Sequence, residues 1–158
     1  MGEPEIRRAI KEEIAADWVA FTGGPPVVAV LGVYEPGDVE GVVVRDPETE
    51  RGGVLTWWAD GERAEIVSVH AEPPGIGTGT RLMDAAEEEL CRRGVKRIEL
   101  ATTNDNLRAL KFYVRRGYRL VRVDLDAMDR VRRIKPGVPH MGRDGLPLCD
   151  MWVLEKTL

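Results

Sequence analysis

Residues 63–83, RAEIVSVHAEPPGIGTGTRLM, place two proton-accepting side chains, Glu65 and His70, just before a run of glycines. A carboxylate or an imidazole is what general-base chemistry needs near neutral pH. Gly75-Ile76-Gly77-Thr78-Gly79-Thr80 then offers six consecutive backbone N–H groups. Glycine lets a backbone turn sharply and approach a ligand closely. A helix opening directly after the loop adds its unpaired amides and the positive end of its dipole. A pyrophosphate fits such a nest. The stretch therefore predicts a phosphate-bearing ligand with a proton acceptor beside it.

A second constellation runs from Asn104 to Tyr118. Asn104 or Asp105 can cap a helix here. Asn106, Ala109 and Tyr113 stand at i, i+3 and i+7, so they share one helical face over two turns. An amide and a phenol with a small residue between them leave room for an elongated ligand. Phe112 reads equally as a core aromatic. Two nucleotide motifs are excluded: no Gly-Lys-Ser/Thr follows the loop, and neither Gly75 nor Gly77 starts a complete G-x-G-x-x-G.

Elements must position these groups, and the 158 residues are enough for one domain with its own core. Ile6, Ile10, Ile14, Trp18 and Phe21 predict a helix over 5–21, closed by Gly23-Gly24-Pro25-Pro26. Strand signals follow at Val27–Val33, Val42–Arg45, Val54–Ala59 and Arg63–His70, the last two joined by an Asp60-Gly61 turn. The second half alternates: helix Thr78–Arg93, strand Val95–Ala101, helix 106–116, strand Tyr118–Asp124, a short helix over 126–135, a Pro/Gly-rich loop and a last strand Cys149–Glu155. Strand–helix–strand from 63 to 101 has the length of a parallel βαβ unit. Strict alternation would set Glu65, Val67 and Val69 on one strand face, with Ile66, Ser68 and His70 on the other. Of the tryptophans at 18, 57, 58 and 152, most suit a core, and one of the adjacent Trp57–Trp58 pair should face outward or into a cleft.

Net charge is −4, unevenly spread. Residues 1–65 carry 14 acids against 6 bases, whereas residues 107–135 carry 10 bases against 3 acids. A basic segment can be a solvated face, frame a polyanionic cofactor or bind nucleic acid. Few aromatics interleave these bases, which argues against nucleic acid. Cys91 and Cys149 have no metal-ligand spacing and read as reduced thiols. The charged N-terminus lacks the apolar core of a signal peptide, and no apolar run approaches a membrane span. The expectation is a cytoplasmic protein without membrane, nucleic-acid or metal partners, a monomer or a homodimer.

With both constellations in view, the chain resembles the GNAT superfamily of acetyl-CoA-dependent N-acetyltransferases, of the small uncharacterised bacterial type. Pro74, Gly77 and Gly79 stand at the defining positions of a loop similar to Q/R-x-x-G-x-G/A. Asn106, Ala109, Phe112, Tyr113, Gly117 and Tyr118 resemble N-x-x-A-x-x-F-Y-x-x-x-G-F/Y. Residues 133–147, with Arg133–Pro139 and Gly142–Pro147, resemble the C-terminal arm of small bacterial members. There are two departures. Pro74 replaces the preferred Gln or Arg and removes one donor. The predicted opening helix replaces the usual first edge strand, whose role would shift to Val27–Val33.

The resemblance implies a single α/β (α+β) domain over 1–158, with a mixed, mostly antiparallel central sheet flanked by helices and a central parallel βαβ unit. It implies acetyl transfer from acetyl-CoA to a primary amine of a small molecule or peptide, by direct attack on the thioester. Glu65 would be the base, Val69 N–H the donor to the thioester oxygen, and Tyr113 the acid to the leaving thiolate; apart from the resemblance, His70 is the alternative base, because an imidazole suits neutral pH. The implied CoA-binding set is Val67, Ser68, Val69, Gly75, Ile76, Gly77, Thr78, Gly79, Thr80, Asn106, Ala109, Phe112 and Tyr113. Asn106 would meet the pantetheine arm or order a water, and part of the basic segment would face the 3′-phosphate. A non-catalytic acetyl-CoA sensor, or a partner-binding module using residues 123–158, is the alternative.

Overall fold

β-Branched runs between residues 40 and 72 pair as three antiparallel strands that carry the site. The computed structural model describes residues 4–49 and 51–158. The elements are β1 (Glu5–Arg8), α1 (Lys11–Phe21), β2 (Val27–Val28), β3 (Val33–Tyr34), β4 (Glu40–Arg45), β5 (Gly52–Asp60), β6 (Arg63–Glu72), α2 (Thr78–Arg92), β7 (Arg97–Thr103), α3 (Leu107–Arg115), β8 (Arg119–Asp124), α4 (Ala127–Ile134) and β9 (Met151–Thr157). Seven strands form one sheet in the order β1-β4-β5-β6-β7-β9-β8. Neighbours are antiparallel except β6 and β7, the parallel pair that α2 connects. This is the mixed, mostly antiparallel architecture expected.

The parallel ladder is short. It joins Arg63, Ala64 and Glu65 to Arg97, Ile98 and Glu99, and no further. β6 continues to Glu72 on β5, while β7 continues to Thr103 on β9. The two strands thus part beyond Glu65 and Glu99, leaving an opening in the middle of the sheet.

Helices cover both faces. Leu82, Met83, Ala86 and Leu90 of α2 are buried against Leu55, Trp57, Ile66 and Leu100. Each fully buried Leu or Met here contributes about 1.5–3 kcal/mol. On the other face, Ile14 and Trp18 of α1 pack with Val43, Val54 and Tyr34. Glu87 faces inward from α2, where Tyr118 Oη, Lys156 Nζ and Arg116 all donate to it.

The opening helix is corrected at its start. Residues 5–8 form an edge strand, pairing Ile6 with Val44 and Arg7 with Val43. α1 begins only after Ile10, whose N–H donates to the Glu13 carboxylate at 3.1 Å. The usual first strand is therefore present. Val27–Val33 is not one strand; Val27 and Val28 fold back on Tyr34 and Val33 as a separate ribbon.

The C-terminal arm is tied down by polar groups. Asn104 Oδ1 accepts from the amides of Cys149 and Asp150, and its Nδ2 donates to Pro147 O. Asp105 accepts from Thr103 Oγ1 and from the Arg143 amide. A Cβ on Gly142 would stand 2.3 Å from Asp105 Oδ2, so only glycine lets the arm approach this closely. Lys135 Nζ donates to Thr22 O and Gly24 O, both at 2.7 Å, joining the arm to the end of α1.

Candidate functional site

Beside the parted end of β6 lies a cleft of about 750 Å³. Val69, His70, Ala71 and Glu72 supply one wall, and Pro74, Gly75, Gly77, Gly79 and Thr80 the next. Asn106, Arg108, Ala109, Lys111, Phe112, Tyr113 and Arg115 of the α3 segment form the third, with Phe21 and Arg143 at the rim. Gly77 caps α2 at φ +88°, the left-handed region that glycine occupies without strain. The loop and the first turn of α2 therefore line the cleft with Gly75, Gly77, Gly79 and Thr80.

Ten of the candidate site residues named from sequence share this cleft: Val69, His70, Gly75, Gly77, Gly79, Thr80, Asn106, Ala109, Phe112 and Tyr113. Glu65, Val67, Ser68, Ile76 and Thr78 are not in its lining. A bulge in β6 explains most of this. Trp57 pairs with Ile66 but Thr56 with Ser68, so Val67 is an extra residue. An extra residue reverses strand alternation beyond it. Glu65, Ser68 and His70 consequently all face α1 and the β2–β3 ribbon, correcting the expected division of faces. Ser68 Oγ accepts from Trp18 Nε1 at 3.0 Å and meets Thr56 Oγ1 at 2.6 Å. Val67 packs among the apolar residues under α1. Ile76 points outward, 53% exposed, and Thr78 is buried where α2 starts.

Glu65 is fully buried behind the ribbon. Its carboxylate accepts from the amides of Val30 (2.7 Å) and Leu31 (3.0 Å) and from Tyr34 Oη (3.0 Å). Burial pushes this carboxyl up, and the amides of Leu31 and Val30 pull it back. Both oxygens are occupied, and the group clamps a loop. Glu65→Ala would leave three donors without an acceptor, at about 1–3 kcal/mol for each that stays dry. The expected loss in urea unfolding is roughly 3 kcal/mol. A loss below about 1 kcal/mol would remove the clamp.

Tyr113 faces the cleft with its ring held between Phe112 (5.3 Å) and Tyr118 (5.9 Å). Its hydroxyl has no hydrogen-bond partner among the described residues. Burial pushes it up to about 12, so the phenol keeps its proton at neutral pH. Asn106, rather than Asn104 or Asp105, caps α3: its Oδ1 accepts from the Ala109 amide at 3.1 Å. The Asn106 amide NH₂ has no hydrogen-bond partner among the described residues.

Arg108, Lys111 and Arg115, spaced three and four apart, bring positive charge to one side of α3, and Arg143 adds a fourth cation from the arm. A Cβ on Gly75 would sit 3.5 Å from Arg108 Nη2, so that guanidinium lies against the glycine loop. Glu72 is the one carboxylate in the lining. The cleft thus suits an extended polyanion. The helical spacing of those bases was visible in the sequence; Arg143, brought in by the arm, was not. Other bases of the segment are engaged by acids of the fold: Arg116 pairs with Asp84 and Glu87, and Arg130 with Asp124.

A second cavity, of about 970 Å³, adjoins the first and shares Phe21 and Arg143 with it. Its walls are the turn after α1, with Pro25 and Pro26, and the arm, with Ile134, Pro136, Val138, Pro139, Met141 and Leu148. Among the described residues no cluster of His, Cys, Asp and Glu could hold a metal ion. No helix of the described residues is long and apolar enough to cross a membrane.

A model described as the acetyltransferase (GNAT) family matches residues 5–118. The chain is 33% identical to the uncharacterized protein YxbD of Bacillus subtilis (strain 168), over 94% of this chain and 93% of that protein. It superposes on the IAA acetyltransferase from Bacillus cereus ATCC 14579 with a TM-score of 0.77 at 20% identity, covering 98% of this chain and 99% of that one. A Bacillus subtilis acetyltransferase in complex with CoA superposes with a TM-score of 0.74 at 18% identity, covering 99% of both chains.

Proposed function

This chain belongs to the GNAT family of acetyltransferases, and we propose that it transfers an acetyl group from acetyl-CoA to a primary amine of a small molecule or peptide. The observation that carries this reading is the cleft itself. It joins a glycine loop at a helix N-terminus, four cations and a protonated phenol beside a parted pair of strands.

Acetyl-CoA, when bound, supplies an acetyl group activated as a thioester. The amides from Gly75 to Thr80 hold its pyrophosphate, with Arg108 beside them to offset phosphate charge. The free amide of Asn106 serves the pantetheine arm. The Val69 N–H, on the parted stretch of β6, donates to the thioester oxygen as charge grows there. Tyr113 gives its proton to the departing sulfur. The acceptor enters from the second cavity, which meets the first at Phe21 and Arg143.

Acetyl-CoA at about 100 times its Kd should stabilise the fold by about 2.7 kcal/mol. For a chain of this length that raises Tm by roughly 5–10 °C. No rise at saturation would defeat acetyl-CoA binding. Thiol release from acetyl-CoA, followed with spermidine, kanamycin, L-amino acids and short peptides, tests the transfer. Release that depends on one class of amine supports it. A Tm rise with no amine-dependent release supports a non-catalytic acetyl-CoA sensor instead.

A further inference from the structure

We propose that His70 is the catalytic base that deprotonates the acceptor amine, and that Asp17 is the residue that positions it. The proposal rests on the N-acetyltransferase reading above. Three observations support it.

The first is the hydrogen bond itself. His70 Nδ1 lies 2.7 Å from Asp17 Oδ2. Asp17 is buried in α1, and His70 is its one side-chain partner among the described residues. A buried carboxylate needs a donor to remain ionised. The pair is satisfied when Nδ1 carries the proton, which leaves the Nε2 lone pair free to accept one. The second observation is ring placement. Phe21 stacks on the imidazole with centroids 4.8 Å apart and planes 21° from parallel. With Asp17 on one nitrogen and Phe21 on one face, the ring is held in a single orientation. The third is location. His70 lines the cleft beside Val69, and Phe21 lines both cavities, so the imidazole stands where the two meet. Nε2 has no partner among the described residues.

The step balances as follows. The acceptor arrives as R–NH₃⁺, and Nε2 takes one proton and passes it to water. The nitrogen lone pair then forms the C–N bond to the acetyl carbon. As the C–S bond breaks, Tyr113 protonates the sulfur and regains a proton from the second N–H. The products are the N-acetyl amine, the CoA thiol and one proton. The β6 bulge brings this about: without Val67 as an extra residue, His70 would face away from α1 and Asp17.

The chain has two histidines, His70 and His140, so ¹⁵N spectra of the imidazoles assign directly by comparison with His70→Gln. The expected result is an Nδ1–H tautomer for His70 that Asp17→Asn converts toward Nε2–H. Thiol release is then measured with whichever amine of the panel above proves active. His70→Gln should lower turnover about 100-fold or more while keeping the acetyl-CoA-induced rise in Tm, which also shows that the variant folds. In His70→Gly, added imidazole should restore part of the lost rate, which a packing role would not allow. Undiminished turnover in His70→Gln, or an Nε2–H tautomer in the parent, overturns the proposal. A parent chain that releases no thiol with any amine fails the N-acetyltransferase reading instead, and that is seen before any variant is made.

Discussion

Tyr113→Phe should lower turnover by about 100-fold or more, the usual range for losing a positioned proton donor, while the affinity for acetyl-CoA changes little. The substitution keeps the ring that packs between Phe112 and Tyr118 and removes one oxygen. That oxygen is bonded to nothing else among the described residues, so no internal partner is orphaned and the fold should hold. Tyr118 makes the contrasting case, since its hydroxyl donates to buried Glu87 and serves the core. Proton donation to a departing thiolate is needed only as the C–S bond breaks, so its loss belongs to kcat rather than to binding. Steady-state thiol release together with an acetyl-CoA titration separates the two. Equal turnover in the variant would remove Tyr113 as the acid.

Gly77→Asp should weaken acetyl-CoA binding by roughly 100- to 1000-fold, because a like charge set against a phosphate costs several kcal/mol. Gly77→Asn is the control. Both side chains tolerate the left-handed region better than most, and both carry the same backbone cost at φ +88°. A Cβ at this position meets nothing within 4 Å, so sterics in the empty protein do not intervene. An aspartate at a helix N-cap ordinarily favours the helix. The unliganded Gly77→Asp protein should therefore be at least as stable as the Asn variant while binding far more weakly. Calorimetric titration of both variants with acetyl-CoA reads the difference. Equal affinities would place the pyrophosphate elsewhere.

The glycine loop and the face of α3 could be read from the chain because both are local: six consecutive residues in one case, two helical turns in the other. β1 could not. Ile6, Ile10 and Ile14 are separated by four, a spacing that satisfies both helical and strand periodicity, and pairing of Ile6 with Val44 decided between them. The faces of β6 are not legible in the chain either, again for a non-local reason. Period-two alternation carries no sign of an extra residue, which shows only where Thr56 and Trp57 pair across the strands. With that bulge in place, Glu65 clamps the β2–β3 ribbon and His70 meets Asp17, a partner 53 positions away that no sequence motif announces.

The parting of β6 from β7 has a consequence beyond ligand binding. A strand with unpaired N–H and C=O groups ordinarily sits at a sheet's rim, where it can recruit another chain and seed aggregation. Here two such edges diverge in the sheet's interior, and the β6 edge borders the cleft that the glycine loop and α3 wall. Edges set inside a sheet suit an occupant narrow enough to lie between two strands rather than a second sheet, so the gap that makes a cleft is also a poor template for strand addition.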